Sequence, residues 1–186
     1  ASTKQHKTQF ITARYGNVFG SSGSVFPKFI EQIKLNQKIT ITDPKMTRFS
    51  ITMDDALNFI INAIKFGKGS EIFVPRLKAY SILTINDALS DIYGKIKQET
   101  IGIRPGEKLH ETLIDKDEMR YSWEYKNMYL ISNPFYPTFY GKKIEKVYNG
   151  IKKIKKTDVY SSDKVQTLSK KEIINRINSL AITFYQ

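Results

Sequence analysis

Two short stretches place charged and hydroxyl side chains at spacings that suit a phosphorylated ligand. In IGIRPGEKLHETLI (101–114), Arg104 and Glu107 stand three apart across a Pro-Gly corner. Proline fixes its own φ and glycine allows a sharp turn, so the two charges can be held toward one cleft. In TDPKMTRFSIT (42–52), Thr42, Thr47 and Arg48 come close together. A guanidinium offers a planar fork of donors to phosphate oxygens, and hydroxyls complete such a site. The blander arrangement, one arginine paired with a local carboxylate and the other solvated, stays open on this reading. A third stretch, GSSGS (20–24), lies between an expected strand and an expected helix and could cradle a phosphate with backbone N–H groups. It has neither the lysine of a P-loop nor a GxGxxG pattern, so a tight flexible turn is the alternative.

Other candidates fall away. His110 followed by Glu111 invites a zinc-protease reading, but the second histidine of that motif would fall at position 114, which is Ile114. No metal site is expected. His6 lies in a polar lead-in without a partner, and both histidines read as incidental. Asp54 with Asp55, and Asp115 with Asp117, read as helix caps and solvated charges rather than acid/base pairs. No Ser-His-Asp spacing stands out.

The elements that must position these residues alternate. QFITARY (9–15) is rich in β-formers and runs into the glycine- and serine-rich loop, after which Phe26, Phe29, Ile30 and Ile33 repeat at helical spacing. KITITD (38–43) reads as a strand. Thr52 with Asp55 forms a capping-box pattern ahead of a helix whose apolar residues are Leu57, Ile60, Ile61 and Ile64. EIFVP (71–75) reads as a buried strand, Thr84 opens a helix carrying Ile85, Ala88, Leu89 and Ile92, and 101–114 reads as a strand turning into a helix. MYLIS (128–132) is a further strand, NPFYPTFYGKK is too rich in proline and glycine for a regular element, and Ser169 with Glu172 caps a last helix. The first ~80 residues therefore predict alternating α/β layers, and the remainder an irregular α+β lobe.

Composition sets the bounds. The 186 residues, 40% of them hydrophobic, suffice for one ordinary core and a second small lobe. The absence of cysteine removes disulfides, thiol nucleophiles and thiolate metal sites, and fits a reducing compartment, so the cytoplasm is expected. No apolar run approaches the ~18 residues of a membrane span, and the polar start is unlike a signal peptide. The first residue is Ala1 rather than Met, which reads as processing or as a piece of a longer chain. A formal charge of +12 raises the possibility of a polyanionic partner. Lysine carries most of it, spread along the chain and thickened only at GIKKIKK (150–156), whereas nucleic-acid readers cluster arginine and aromatics on one element.

Taken in order, ARYGNVFGSSGSVFPKFIEQI, ITITDPKMTRFSIT, EIFVPRLKAYSILTINDALS and IGIRPGEKLHETLI resemble the CapD-like polysaccharide biosynthesis family of extended short-chain dehydrogenase/reductases. Its nearest members are the inverting UDP-N-acetylglucosamine 4,6-dehydratases. The likeness is close over residues 9–120, loose from 121 to 160, and returns at VYSSDKVQTLSKKEI. It implies the C-terminal part of an NAD(P)-binding Rossmann fold with a small α+β substrate-binding lobe. Residues 1–80 would supply the last Rossmann strands and helices, with 17–50 contributing to the substrate cleft, and 81–186 the UDP-sugar lobe and final helix. Residue by residue, it implies that Asn17, Val25 and Thr42 contact the nucleotide-sugar, and that Val18, Phe19, Gly20, Ser21 and Ser22 lie on the NADP side of the cleft. Met46, Thr47 and Arg48 form the family's Met-Thr-Arg turn near the diphosphate. Arg104 would bind phosphate oxygens of UDP, and Glu107 ribose hydroxyls.

The resemblance also shows what these residues lack. The family's Gly-rich dinucleotide turn, Thr-Asp-Lys segment and Tyr-x-x-x-Lys pair should precede position 9, where only ASTKQHKT stands. No catalytic residue is therefore assigned, and the chain is expected to be the C-terminal half of an NADP-dependent enzyme, inactive by itself and a homo-oligomer when complete. In the family reaction a hydride passes from sugar C4 to the nicotinamide, water leaves across C5 and C6, and the hydride returns to C6 with inversion at C5. Sister members are UDP-sugar 4-epimerases. From other classes, a basic nucleic-acid-binding module and a non-catalytic UDP-sugar-binding remnant are the alternatives.

Overall fold

A computed structural model describes residues 8–135, 138–139, 142–155 and 158–184 of the chain. His6 lies outside them. The chain forms two compact units: Ala1–Tyr15, Met53–Arg76 and Thr112–Tyr160 make the first, and Gly16–Thr52, Leu77–Glu111 and Ser161–Gln186 the second. Each unit gathers three segments, so the structural division does not follow a cut at residue 80.

The first unit is built on a mixed five-stranded sheet. β1 (Thr12–Ala13) pairs parallel with β5 (Ile72–Pro75), which pairs antiparallel with β10 (Met128–Ile131). β10 turns back on β9 (Ser122–Tyr125), and β13 (Lys152–Lys153) closes the order β1-β5-β10-β9-β13. The continuous apolar run of β5 is buried as such runs are when both faces of a sheet are covered: Phe73 and Val74 have no exposed surface. α2 (Met53–Phe66) starts directly after Thr52, as the capping pattern predicts, yet the face it buries is Ala56, Phe59 and Ala63. Leu57, Ile61 and Ile64 are exposed, so the expected apolar stripe is not the one packed within this unit. The loop after α2 is tied by Glu71, 1% exposed, whose carboxylate accepts from the backbone N–H groups of Lys68 and Gly69 at 2.8 and 2.7 Å and from the Tyr148 hydroxyl. Three donors offset the cost of burying that charge. Short pieces complete the unit: β8 (Thr112–Ile114), α4 (Lys116–Met119) with its Asp115–Glu118 capping box, the pair β11 (Thr138–Phe139) and β12 (Lys142–Lys143), and α5 (Ile144–Val147).

The second unit holds the stretches singled out above. β2 (Asn17–Val18) pairs parallel with β4 (Thr47–Ile51), which pairs antiparallel with β6 (Lys78–Ser81). β3 (Ile39–Ile41) pairs parallel with β7 (Gln98–Thr100). α1 (Val25–Lys34) buries Phe26 and Phe29, while Ile30 and Ile33 pack on the same core. α3 (Ile82–Tyr93) starts two residues before the expected Thr84 because Ser81 is its N-cap and accepts from the Thr84 N–H at 3.0 Å. β14 (Tyr160–Ser161) leads from the first unit into the second, and α6 (Lys170–Phe184) opens on the Ser169–Glu172 box that the sequence predicts.

The corner at 101–114 differs from its expectation. Arg104, Pro105, Gly106 and Glu107 form a β-turn closed by the Glu107 N–H on the Arg104 carbonyl at 3.0 Å, with Gly106 at φ +83°. Proline followed by a positive-φ glycine is the type II pattern. No helix follows; the chain runs irregularly to β8, because its polar backbone groups are engaged elsewhere: the Leu109 carbonyl accepts from Thr47 N–H and the Glu111 carbonyl from Ser162 N–H.

Candidate functional site

A cavity of about 190 Å³ opens in the second unit. Six of the residues expected to touch a nucleotide-sugar line it: Asn17, Val25, Thr42, Met46, Arg48 and Glu107. The local reasons are simple. Gly16 lets β2 approach β4, since a Cβ there would lie 2.4 Å from the Phe49 Cβ; this brings Asn17 to the wall. The 104–107 turn aims Glu107 at Thr42, whose Oγ1 donates to Glu107 Oε1 at 3.5 Å, while the Arg104 N–H donates to Oε2 at 3.3 Å.

Arg48 is the cation of the wall, with its side chain 14% exposed. Its Nη1 donates to the carbonyls of Thr47 and Leu109 at 2.8 and 3.0 Å, and its Nε faces Glu111 at 3.7 Å. The guanidinium is thus held at Nη1 and Nε, and Nη2 donates to the Met46 sulfur at 3.5 Å, a weak acceptor beside the cavity. Arg104 is exposed and lies off the cavity wall, and among the described residues its guanidinium meets no carboxylate.

Thr47 also lies off the wall. Its hydroxyl sits 2.8 Å from His110 Nδ1 and 2.7 Å from Ser162 Oγ, so it ties the loop behind the cavity. Of the stretch expected to flank a dinucleotide, Phe19 is a core residue, stacked on Phe26 at 5.4 Å, and Gly20 is buried against Leu180. The amide of Ser21 is taken up by the Val18 carbonyl and that of Ser24 by the Ser21 carbonyl. Val18 and Ser21 are half-buried and Ser22 is exposed. These residues form no pyrophosphate cradle, and Val18, Ser21 and Ser22 are the ones of the stretch that keep exposed surface.

Several residues of the site are not singled out by the sequence. Phe29, Thr40, Tyr80 and Ile82 line the wall together with Gly23 and Ser24, the last two from the GSSGS stretch. Tyr80 is 3% exposed; burial, with the Glu111 charge adding, pushes its phenol above the ordinary tyrosine range, so it stays protonated. Ser24, the N-cap of α1, has a buried hydroxyl oxygen without a protein partner. The cause can be read in S-V-F-P: an N-cap side chain bonds the N–H of N2 or N3, and Pro27 at N3 has none. Glu111 sits behind the wall, its carboxyl pushed up by burial against the pull of Arg48, the Phe49 N–H and Lys108.

The arrangement can accept from hydroxyls at Glu107, donate to an anion from Arg48 and the first amides of α1, and cover an apolar ring face with Val25, Phe29 and Ile82. The sequence profile of the family described as polysaccharide biosynthesis protein matches residues 1–133. The chain belongs to this family. Among its relatives, an inverting UDP-N-acetylglucosamine 4,6-dehydratase of Campylobacter jejuni is 37% identical over 183 residues, covering 92% of this chain and 52% of the relative. A UDP-glucose 4-epimerase of Rickettsia canadensis is 36% identical over 169 residues, covering 90% of this chain and 49% of the relative. Among solved structures, the X-ray structure of Pen from Bacillus thuringiensis superposes with a TM-score of 0.82 at 36% identity, over 97% of this chain and 53% of that one. The chain therefore spans about half the length of the curated relatives it matches, and its α/β fold is that of part of a Rossmann-type extended short-chain dehydrogenase/reductase. No helix among the described residues is long and apolar enough to cross a membrane.

Proposed function

We propose that this chain is the UDP-sugar-binding, C-terminal part of a nucleotide-sugar dehydratase that makes polysaccharide or glycan precursors, with inverting UDP-N-acetylglucosamine 4,6-dehydratase as the activity. The observation that carries the reading is the convergence of the Glu107 carboxylate, Thr42, Asn17 and the Arg48 guanidinium on a single cavity beside the N-terminus of α1. Glu107 takes the ribose hydroxyls, and Arg48 with the α1 amides takes the diphosphate. Arg104 reaches phosphate oxygens from the turn. A cavity of this size lies below the ~300–1,000 Å³ of whole small-molecule sites, so it accounts for one portion of the ligand. NADP, flanked here by Val18, Ser21 and Ser22, supplies the hydride chemistry when bound. Binding energy from the UDP end holds the sugar in place for that chemistry. A UDP-sugar 4-epimerase is the second reading, favoured by the equally close Rickettsia relative.

Incubated with UDP-N-acetylglucosamine and NADP+, the 186-residue chain should bind UDP in calorimetry and form no 4-keto product. Robust turnover would overturn the half-enzyme reading, and a folded chain with no UDP affinity would overturn the binding role. In the complete protein, NMR of the product separates the two activities: a 4-keto-6-deoxy sugar marks the dehydratase, a C4 epimer the epimerase.

A further inference from the structure

Glu111 stands one layer behind the cavity and touches both polar residues that β2 and β4 bring to its wall. With the Asn17 amide nitrogen turned toward it, Asn17 donates to both Glu111 carboxylate oxygens, at 2.6 and 2.8 Å. Arg48 Nε lies 3.7 Å from Oε1, and the Phe49 N–H donates to Oε2 at 3.3 Å. The Glu111 backbone is itself fixed from the far side. The Glu111 N–H donates to Ser162 Oγ at 2.9 Å, and the Glu111 carbonyl accepts from the Ser162 N–H at 2.8 Å. Ser162 has no exposed surface, so this two-way clasp is a dry one.

We infer that Glu111 is the positioning residue of this site: it holds the Asn17 amide and the Arg48 guanidinium in one fixed arrangement and thereby sets the affinity and polarity of the wall for a nucleotide-sugar. The inference rests on the function proposed above. Its chemistry is specific. The Asn17 amide nitrogen is turned to the carboxylate, with one hydrogen shared between its two oxygens, so the carbonyl oxygen is the end turned away from Glu111. Asn17 then takes a donor, such as a sugar hydroxyl or an acetamido N–H, and phosphate is left to Arg48. An unpinned amide would offer either end and lose that distinction. The Arg48 guanidinium is held on one side by two carbonyls and on the other by Glu111, which leaves Nη2 in one place. Burial of the carboxylate strengthens both contacts, since a charge in a low-dielectric setting is screened less.

The test is a double-mutant cycle read by calorimetry with UDP-N-acetylglucosamine, in the complete protein. Glu111→Gln keeps the shape but sets an NH2 group against either the Asn17 amide or the Phe49 N–H. Losing hydrogen bonds to a charged acceptor should weaken binding about tenfold, with Glu111→Asp, which keeps the charge, recovering part of it. In an Asn17→Ala background the share of the E111Q loss that runs through Asn17 should vanish, leaving only the share that runs through Arg48. If the wild type binds and E111Q binds equally well, or its loss adds in full to that of N17A, the positioning role is overturned while the proposed function stands. If the folded wild type does not bind the nucleotide-sugar, the proposed function fails and this inference with it. Should E111Q not fold, the same cycle run with E111D decides between these outcomes.

Discussion

Glu172 shows how much one side chain can be read in sequence. The pattern Ser-x-x-Glu predicts a capping box, and the structure has both halves of it: the Glu172 N–H donates to Ser169 Oγ at 3.3 Å, and the Ser169 N–H donates to Glu172 Oε2 at 2.8 Å. What the pattern does not contain is Lys78, 94 residues away, whose ammonium donates to Oε1 at 2.7 Å. The Lys78 hydrogen bond first, then those from the Ser169 backbone and hydroxyl, hold the carboxyl down to about 2. A carboxylate lowered in the folded state adds stability that is present above its unfolded value and is lost as pH falls toward the folded one. The carboxyl carbon of Glu172 should therefore titrate with a midpoint near 2 in a 13C NMR series, and in Lys78→Met it should move back toward the usual glutamate range. A wild-type midpoint above 4 would show that the ion pair does not form. The same limit explains the candidate site. Thr42, Arg48 and Glu107 were legible because each sits in a short motif with an obvious chemical reason. Glu111 and Ser162 were not, because they meet across 51 residues.

At the scale of elements, periodicity gave the helices their places more securely than their faces. α2 is apolar on more than one side, and a 3.6-residue repeat cannot say which of two adjacent stripes meets the sheet. The sequence points to Leu57, Ile60, Ile61 and Ile64, the bulkier set. The structure buries Ala56, Phe59 and Ala63, where two alanines let the helix come close and one phenylalanine fills the gap. Phe59 meets Tyr15 edge to face at 6.1 Å. Phe59→Ala should therefore cost about 3–5 kcal/mol in urea denaturation, the range for a buried aromatic truncated to alanine. Ile61→Lys, at a position 60% exposed, should stay within about 0.5 kcal/mol of wild type. The reverse order would mean that the Leu57–Ile64 stripe is the packed one. At 101–114 the turn was legible, since Pro-Gly has few other uses, but the helix after it was not there. The segment is fixed by separate contacts instead: Glu107 lines the cavity, Leu109 packs on the core, and the backbone bonds to β4 and to Ser162.

For the whole molecule, two features of sequence invite a broad reading: a change of texture near residue 80 and a large positive charge. The first is real but does not mark a structural boundary, because each unit draws on three segments and such long-range assembly leaves no local trace. The second can be decided by where the cations are. Arg14 forms a two-point pair with Glu118 at 2.7 and 2.8 Å, Arg76 meets Glu124 at 2.8 Å, Arg120 meets Asp117 at 3.6 Å and Arg48 faces Glu111. Arginine, the residue best suited to grip phosphate and read bases, is thus largely turned toward the protein's own carboxylates. The excess charge of +12 rests on lysines spread along the chain, which attract polyanions by a screened field and do not build a reading surface. Such binding follows counterion release and weakens steeply with salt, by about 10³–10⁵ between 50 and 200 mM when 6–10 phosphates are contacted. A nucleotide-sugar carries a single diphosphate held partly by neutral groups, so its affinity should change by less than about tenfold over the same interval. Titrating duplex DNA and UDP-N-acetylglucosamine in parallel at the two salt concentrations separates the readings. DNA affinity that collapses while nucleotide-sugar binding persists is the expected result, whereas DNA binding that stays tight at 200 mM salt would mean that the lysines form a dedicated nucleic-acid surface.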